Sequence, residues 1–85
     1  MLTLTILARA AKQLAKVPRG DAGAIMAKLE AYAADRTASV DVKPLKGEKN
    51  VFRLRHGDWR ALFEVDVKAR TMVVVDVVNR RDAYK

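Results

Sequence analysis

Arginine is the residue type in this chain best suited to chemistry, and its spacing predicts that several arginines meet. Arg53 and Arg55 lie two residues apart on a predicted strand, so their side chains share one face of it. Arg60 follows a tight turn on the next strand, and Arg80 and Arg81 follow the strand after that. In an antiparallel meander, the end of the third strand lies beside the start of the second. We therefore expect these five residues, named here the arginine cluster, to converge at one end of a sheet surface.

Such a cluster is suited to binding a polyanion. Guanidinium groups that are packed together repel one another unless an anion joins them, and each can bind phosphate with two parallel hydrogen bonds. The backbone of RNA supplies such phosphates. Trp59 and Tyr84 could stack on its bases, although Trp59 could instead belong to the core. We predict RNA binding by Arg53, Arg55, Arg81 and Trp59.

The arginines also have purely structural interpretations. Arg53 and Arg55 could form the solvated face of an edge strand. Arg60 could pair with Glu64 or Asp66 in ordinary cross-strand ion pairs. Neither of these interpretations requires a ligand. Unlike the RNA-binding interpretation, they do not need the arginines to converge.

The composition excludes several other kinds of site. The chain has 85 residues and no cysteine, so disulfide scaffolds, thiol catalysis and zinc sites built on cysteine are excluded. His56 is the single histidine, which leaves little for a Ser-His-Asp triad or a multi-histidine metal site. It lies near a turn, where an exposed polar residue is a simpler interpretation than a catalytic base. We predict neither a metal nor a cofactor.

The net charge of +7 favours an acidic partner, such as nucleic acid, an anionic surface or an acidic protein. The alternative is a charge that only keeps the protein in solution. The apolar start of the chain is short and is interrupted by Arg9 and Lys12, which is not typical of a signal peptide. No apolar run approaches the ~20 residues that a membrane-spanning helix needs. We expect a cytoplasmic protein.

The hydrophobic periodicity predicts a single α+β domain over residues 1–85 with the order β-α-α-β-β-β. Asp21 is the predicted cap of the second helix, after a break at Pro18 and Gly20. Residues 37–49 form a polar connector with room for a short extended piece at 40–42. The predicted elements are a strand at 2–6, helices at 8–17 and 21–36, and strands at 51–56, 59–67 and 71–78. This order predicts a helical hairpin packed on a mainly antiparallel four-stranded sheet.

The order of several short motifs resembles the RelE/ParE superfamily of type II toxins. Residues 44–47 (PLKG), 51–55 (VFRLR) and 57–63 (GDWRALF) resemble the central pattern of the family. Residues 78–84 (VNRRDAY) resemble its closing motif, and residues 10–18 resemble its first helix with the proline that ends it. The resemblance covers nearly the whole chain, and it is the order and spacing of the motifs together that make it specific.

This resemblance implies the same fold, an antitoxin that wraps the toxin, and contact with operator DNA only through that antitoxin. RelE-type members cleave mRNA in the ribosomal A site without a metal: the ribose 2′-OH attacks the neighbouring phosphate and leaves a 2′,3′-cyclic end. By position, Arg60 matches the arginine after the aromatic residue, and Arg80 matches a phosphate clamp or proton donor. Tyr84 matches the tyrosine that orients the 2′-OH. The implied catalytic residues are Arg60, Arg80 and Tyr84.

Two departures from the family pattern leave alternatives open. Arg53 and Arg55 stand where RelE has lysines, and arginine does not release its proton, so the general base is unassigned among Glu64, His56, Tyr84 and the ribosomal RNA. Asn79 stands where many relatives have histidine. A ParE-like inhibitor of DNA gyrase, or a degenerate toxin that acts only as a co-repressor with its antitoxin, are the alternative functions.

Overall fold

The computed structural model describes residues 1–80, which form two helices packed on a five-stranded sheet. The strand order across the sheet is β1-β5-β4-β3-β2, and β1 is parallel to β5 while all other neighbours are antiparallel. The elements, in chain order, are β1 (Thr3–Ile6), α1 (Ala8–Ala15), α2 (Arg19–Ala34), β2 (Val42–Pro44), β3 (Val51–His56), β4 (Trp59–Asp66) and β5 (Thr71–Asn79). The α+β architecture with a helical hairpin on one face of the sheet confirms the predicted fold class.

The start of α2 differs from the prediction. Pro18 is the N-cap, with φ −50° and ψ 140°, and the helix begins at Arg19. Proline is well placed at a helix start because the first N–H groups have no partner within the helix. Asp21 therefore lies in the first turn rather than at the cap, where a carboxylate still interacts favourably with the helix dipole.

The connector after α2 contains a fifth strand, at Val42–Pro44, where the sequence suggested only a short extended piece at 40–42. Val42 and Pro44 align with Leu54 and Phe52 of β3, and β2 forms one edge of the sheet. The N–H of Arg55 extends this ladder by donating to the carbonyl of Asp41 at 2.9 Å. A proline is tolerated here because an edge strand has one row of N–H groups that need no strand partner.

The segment before β2 begins with a hydrogen-bonded turn. The hydroxyl of Thr37 donates to Asp35 Oδ1 at 2.6 Å, and the backbone N–H of Thr37 donates to the same oxygen at 2.9 Å. These two hydrogen bonds, the hydroxyl first, lower the pKa of the Asp35 carboxyl below its ordinary value of 3.8. The turn directs the chain from the end of α2 back to the edge of the sheet.

The core lies between the helices and one face of the sheet, which we call the helix face. The largest fully buried side chains come from both layers: Phe63, Leu54, Met72 and Val74 from the sheet, and Ile25 and Leu29 from α2. Tyr32 of α2 packs against the rings of Phe52 and Phe63, with centroid distances of 6.5 and 5.4 Å. Alternation along the strands places the intervening residues on the opposite face, which we call the open face.

β5 contains a β-bulge next to the end of its pairing with β1. Beyond that end, α1 contacts β5 in place of β1. Leu62 aligns with Asp76 but Phe63 aligns with Val74, so Val75 is the additional residue of a β-bulge. β1 ends at Ile6, opposite Val74, and the next free N–H along β5 belongs to Val77. Gln13 of α1 accepts that N–H at 2.8 Å through Oε1, and its Nε2 donates to Asp76 Oδ1 at 2.6 Å. The side chain thereby replaces the missing strand partner.

Candidate nucleic-acid interface

Arg55 and Arg60 lie directly opposite each other on the open face. They are aligned in the β3–β4 hairpin, one pair away from its two-residue turn at Gly57 and Asp58. Gly57 has φ +56°, a left-handed conformation that suits the first central position of such a turn. Directly opposed residues have Cβ atoms about 5 Å apart, and like charges in this arrangement destabilise the pair. An anion bound between the two guanidinium groups would remove that repulsion.

Arg53 lies one row further along the same face. It is aligned with Leu62 of β4 on one side and with Lys43 of β2 on the other. Its Nη2 lies 3.9 Å from Asp41 Oδ1, and only 15% of its side chain is exposed, against 48% for Asp41. The carboxylate therefore holds the Arg53 side chain against the sheet, while Lys43 adds a further exposed cation beside it.

Arg80 reaches the same end of the sheet through its backbone. Val78 is aligned with Arg60, and the N–H of Arg80 donates to the carbonyl of Asp58 at 2.6 Å. The end of β5 is thus attached to the β3–β4 turn, as the meander predicted. The structure brings together four members of the arginine cluster, namely Arg53, Arg55, Arg60 and Arg80. The predicted residues Arg81 and Tyr84 lie outside the described residues.

Trp59 is placed apart from the arginines, on the helix face. It is aligned with His56 on β3 and with Asn79 on β5, and it packs, partly buried, against the core. With Gln13 and Lys16 of α1 it lines a groove of about 320 Å³. The predicted stacking residue therefore faces the opposite side of the sheet from Arg55 and Arg60.

His56 is also on the helix face, and both of its ring nitrogens have partners. Nδ1 lies 2.8 Å from Lys28 Nζ, and Nε2 lies 3.1 Å from Asp21 Oδ1. A lysine ammonium can only donate, so Nδ1 accepts and Nε2–H donates to the carboxylate. This arrangement joins the end of β3 to two positions on α2 that are about two turns apart. It places His56 away from the open face, and hence away from the reaction for which it was a candidate base.

Glu64 and Asp66 are on the strand that carries Arg60, not across from it. Glu64 is four residues further along β4, about 13 Å at the rise of a strand, and Asp66 is further still. Glu64 is aligned with Val51 and Val73, and it lines a separate groove of about 310 Å³ with Glu48 and Thr71 among others. The predicted cross-strand partners of Arg60 thus lie at the other end of the open face.

Asp41 and Lys43 are the residues at this site that the sequence prediction missed. Their position depends on the pairing of β2 with β3, and β2 has only three residues. A signal was present in the alternation of residues 40–43, in which Val40 and Val42 pack against the core while Asp41 and Lys43 are exposed. Alternation of this kind places charged residues on one face of a strand.

Metal binding and membrane insertion find no support in the part of the chain that the structure describes. Within residues 1–80, no group of three or more metal-ligating side chains is close enough to bind an ion. Neither α1 nor α2 has the length and apolar character to cross a bilayer.

Comparison with known proteins gives one family and one fold. The sequence model of one protein family, the ParE toxin of the type II toxin-antitoxin system parDE, matches residues 4–84. No curated protein matches the chain. Among solved structures, the RelB-RelE antitoxin-toxin complex of Methanococcus jannaschii has a TM-score of 0.81 and 24% identity, covering 94% of both chains.

Two further structures support the same fold. The toxin-antitoxin complex RelBE2 of Mycobacterium tuberculosis has a TM-score of 0.77 and 26% identity, covering 93% of this chain and 98% of the other. The isolated RelE toxin of E. coli has a TM-score of 0.79 and 16% identity, covering 93% of this chain and 84% of the other. The chain belongs to the ParE toxin family and is a type II toxin of the RelE/ParE superfamily.

Proposed function

We propose that this toxin is an endoribonuclease that cleaves mRNA in the ribosomal A site and thereby stops translation. The observation that carries the proposal is the direct opposition of Arg55 and Arg60 on the open face. Arg53, Lys43 and the backbone of Arg80 lie at the same end of the sheet. Like charges placed this close repel one another, and a bound phosphate can bridge them, so this accumulation of cations supports a phosphate ligand.

The proposed chemistry suits such a site. Attack of a ribose 2′-OH on the neighbouring phosphate increases the negative charge on the phosphate oxygens in the transition state. Fixed guanidinium groups stabilise that charge because they are already oriented before the reaction begins. Arg60 and Arg80 are assigned to the phosphate, and Arg53 and Arg55 to the strand of mRNA. Tyr84, by its match to the family motif, orients the 2′-OH.

The partner that we propose is a cognate antitoxin. Structures of the relatives from Methanococcus jannaschii and Mycobacterium tuberculosis are complexes with their antitoxins. The net charge of +7 favours an acidic segment, and the cations of the open face offer it the densest positive charge. An antitoxin bound there would neutralise the toxin by covering Arg55 and Arg60.

The second candidate function is inhibition of DNA gyrase, which the description of the matching family model favours. The two functions make different demands on the open face. A nuclease requires Arg60 to contact the reacting phosphate and Arg55 to hold the mRNA strand beside it, whereas a gyrase inhibitor requires only a surface that fits the enzyme. Cleavage of mRNA that is lost on a single conservative change in that pair therefore identifies the nuclease, whereas loss of supercoiling with intact mRNA identifies the gyrase inhibitor.

The experiment adds the purified toxin to a reconstituted translation reaction and to a gyrase supercoiling reaction. We expect translation to stop, with new mRNA ends mapping to the codon in the A site and ending in a 2′,3′-cyclic phosphate. Arg60→Gln should slow cleavage on the order of 100-fold, as expected for the loss of one transition-state donor. Arg70→Gln, at the other end of the sheet, is the matched control and should cleave normally. Intact mRNA together with lost supercoiling would contradict the nuclease proposal.

A further inference from the structure

The arginine cluster leaves one requirement of the proposed reaction unmet. Transfer of a phosphate from the 5′-oxygen to the 2′-oxygen requires removal of a proton from the 2′-OH and delivery of one to the 5′-oxygen. Arginine does neither at neutral pH, because its guanidinium keeps its protons. Another group must therefore move the protons, and a described residue that does so must lie beside the arginines on the open face.

The edge strand β2 and the residue that precedes it bring two such side chains to that position. Asp41 and Lys43 are two residues apart and share the open face, and Lys43 is aligned with Arg53. The carbonyl of Asp41 accepts the N–H of Arg55 at 2.9 Å, and its Oδ1 lies 3.9 Å from Arg53 Nη2. Both side chains are exposed; Lys43 belongs to the outermost strand, and Asp41 directly precedes that strand. A strand of mRNA on the cluster can therefore reach both.

The other titratable side chains considered for this role are less well placed. His56 lies on the helix face with both ring nitrogens engaged by Lys28 and Asp21. Glu64 is aligned with Val51, two residues from Arg53 and four from Arg55 along β3, toward the far end of the face. Neither can reach a phosphate held between Arg55 and Arg60 as directly as the pair at β2.

We propose that Asp41 and Lys43 are the proton-transfer residues of the nuclease, an inference that rests on the proposed function. The Asp41 carboxylate takes the proton of the 2′-OH as the 2′-oxygen bonds to phosphorus. The bond from phosphorus to the 5′-oxygen breaks, and the Lys43 ammonium gives that oxygen a proton. Water then carries the proton from Asp41 to the Lys43 amine. The products are a 2′,3′-cyclic phosphate and a 5′-hydroxyl, and the enzyme returns to its starting state.

The first test measures single-turnover cleavage of mRNA on programmed ribosomes across a range of pH. The variants are Asp41→Asn, Lys43→Met and Lys43→Arg, with Lys68→Met in the β4–β5 turn as the matched loss of one positive charge. We expect each variant at 41 or 43 to slow cleavage by about 10²- to 10⁴-fold, the usual contribution of a positioned acid or base. Asp41→Asn should remove the acidic limb of the pH profile, and both Lys43 variants the basic limb. Lys68→Met should behave as the unaltered protein.

Lys43→Arg separates proton transfer from charge. It keeps the cation, so the affinity of the toxin for the programmed ribosome and the salt dependence of binding should not change. Asp41→Asn should bind at least as tightly as the unaltered protein, because it removes the one carboxylate beside Arg53. Slower cleavage without weaker binding is the expected result for both. Asp41→Glu, which keeps the carboxylate, should recover part of the rate.

The second test replaces the 5′-oxygen of the scissile bond by sulfur. A thiolate leaves without being protonated, so this substrate should restore the rate of Lys43→Met while leaving Asp41→Asn slow. Full cleavage of the normal substrate by the variants, or a Lys43→Met defect that sulfur does not relieve, would overturn the assignment and leave the nuclease proposal intact. An unaltered toxin that fails to cleave programmed mRNA would overturn both.

Discussion

At the scale of residues, Arg55 and Arg60 show a conflict between stability and binding. A hairpin with a two-residue turn brings the residues next to its closing pair into direct opposition, and here both are arginines. Opposite charges at these positions would stabilise the hairpin, while like charges do the reverse. We expect the pair to lower the stability of the free toxin and a bound anion to relieve the repulsion.

We predict that Arg55→Gln stabilises the fold while it impairs the activity. The free energy of unfolding should rise by roughly 0.2–1 kcal/mol, because a like-charged cross-strand pair is removed. Cleavage should slow, because the mRNA strand loses one of its phosphate contacts beside the reacting group. Urea unfolding and single-turnover cleavage measure the two effects. Arg70→Gln should show neither, and a less stable Arg55→Gln would contradict the assumed repulsion.

The residues that the sequence placed well were those whose position depends on local spacing. Arg53 and Arg55 were predicted to share a face because strands alternate, and the short turn placed Arg60 beside them. The same alternation, continued from the core residues Phe52 and Leu54, also places His56 toward the helices. Its partners Lys28 and Asp21 could not be predicted, since they depend on how α2 crosses the sheet.

At the scale of elements, β2 shows where the sequence carries too little information. A strand of ordinary length shows several apolar/polar alternations in the sequence, but Val42–Pro44 is long enough for only one alternation. Its existence depends on the free edge of β3, which offers hydrogen bonds that only the folded sheet positions. The predicted start of α2 was also wrong, because the role of Asp21 depends on a contact with β3 that only the folded sheet positions. Asp21 has the side chain of a good cap, yet in the structure its carboxylate accepts from His56 instead.

Gln13 joins α1 to β5 by hydrogen bonds. It satisfies the N–H of Val77 at the point where β1 has ended, so one side chain of α1 completes the ladder of β5. Gln13→Leu keeps the size but leaves that N–H unpaired, and the free energy of unfolding should fall by about 1–3 kcal/mol. The amide of Val77 should also exchange faster with solvent. Lys12→Leu, on the exposed side of the same helix, should change neither, and an equally stable Gln13→Leu would show that the contact is dispensable.

At the scale of the whole molecule, the net charge of +7 on 85 residues opposes compaction. Part of that cost is concentrated at the arginine cluster, where an anion can relieve it. A ligand that binds the folded state alone raises the apparent stability with its concentration. The midpoint of thermal unfolding therefore reports on the site without any assay of catalysis.

We predict that a short RNA analogue lacking the 2′-OH raises the unfolding temperature of the toxin, and that the rise disappears at high salt. The reason is that phosphates bind the cluster electrostatically, and salt competes for them. Arg55→Gln should reduce the rise, whereas Arg70→Gln should retain it. Differential scanning fluorimetry at several salt concentrations measures this. An equal rise for both variants would place RNA binding elsewhere on the molecule.

The pairing of β1 with β5 connects the first strand to the last described one, and it is the only parallel pair among the strands of residues 1–80. During synthesis, Thr3–Ile6 leaves the ribosome long before residues 71–79 are translated. Because β5 lies between β1 and β4, β1 cannot join the sheet until β5 has emerged from the exit tunnel. Arg60 acquires its neighbour Val78 at the same moment. Arg53, Arg55 and Arg60 already meet in the β3–β4 hairpin, so the arrival of β5 adds Arg80 and completes the mRNA site that we propose.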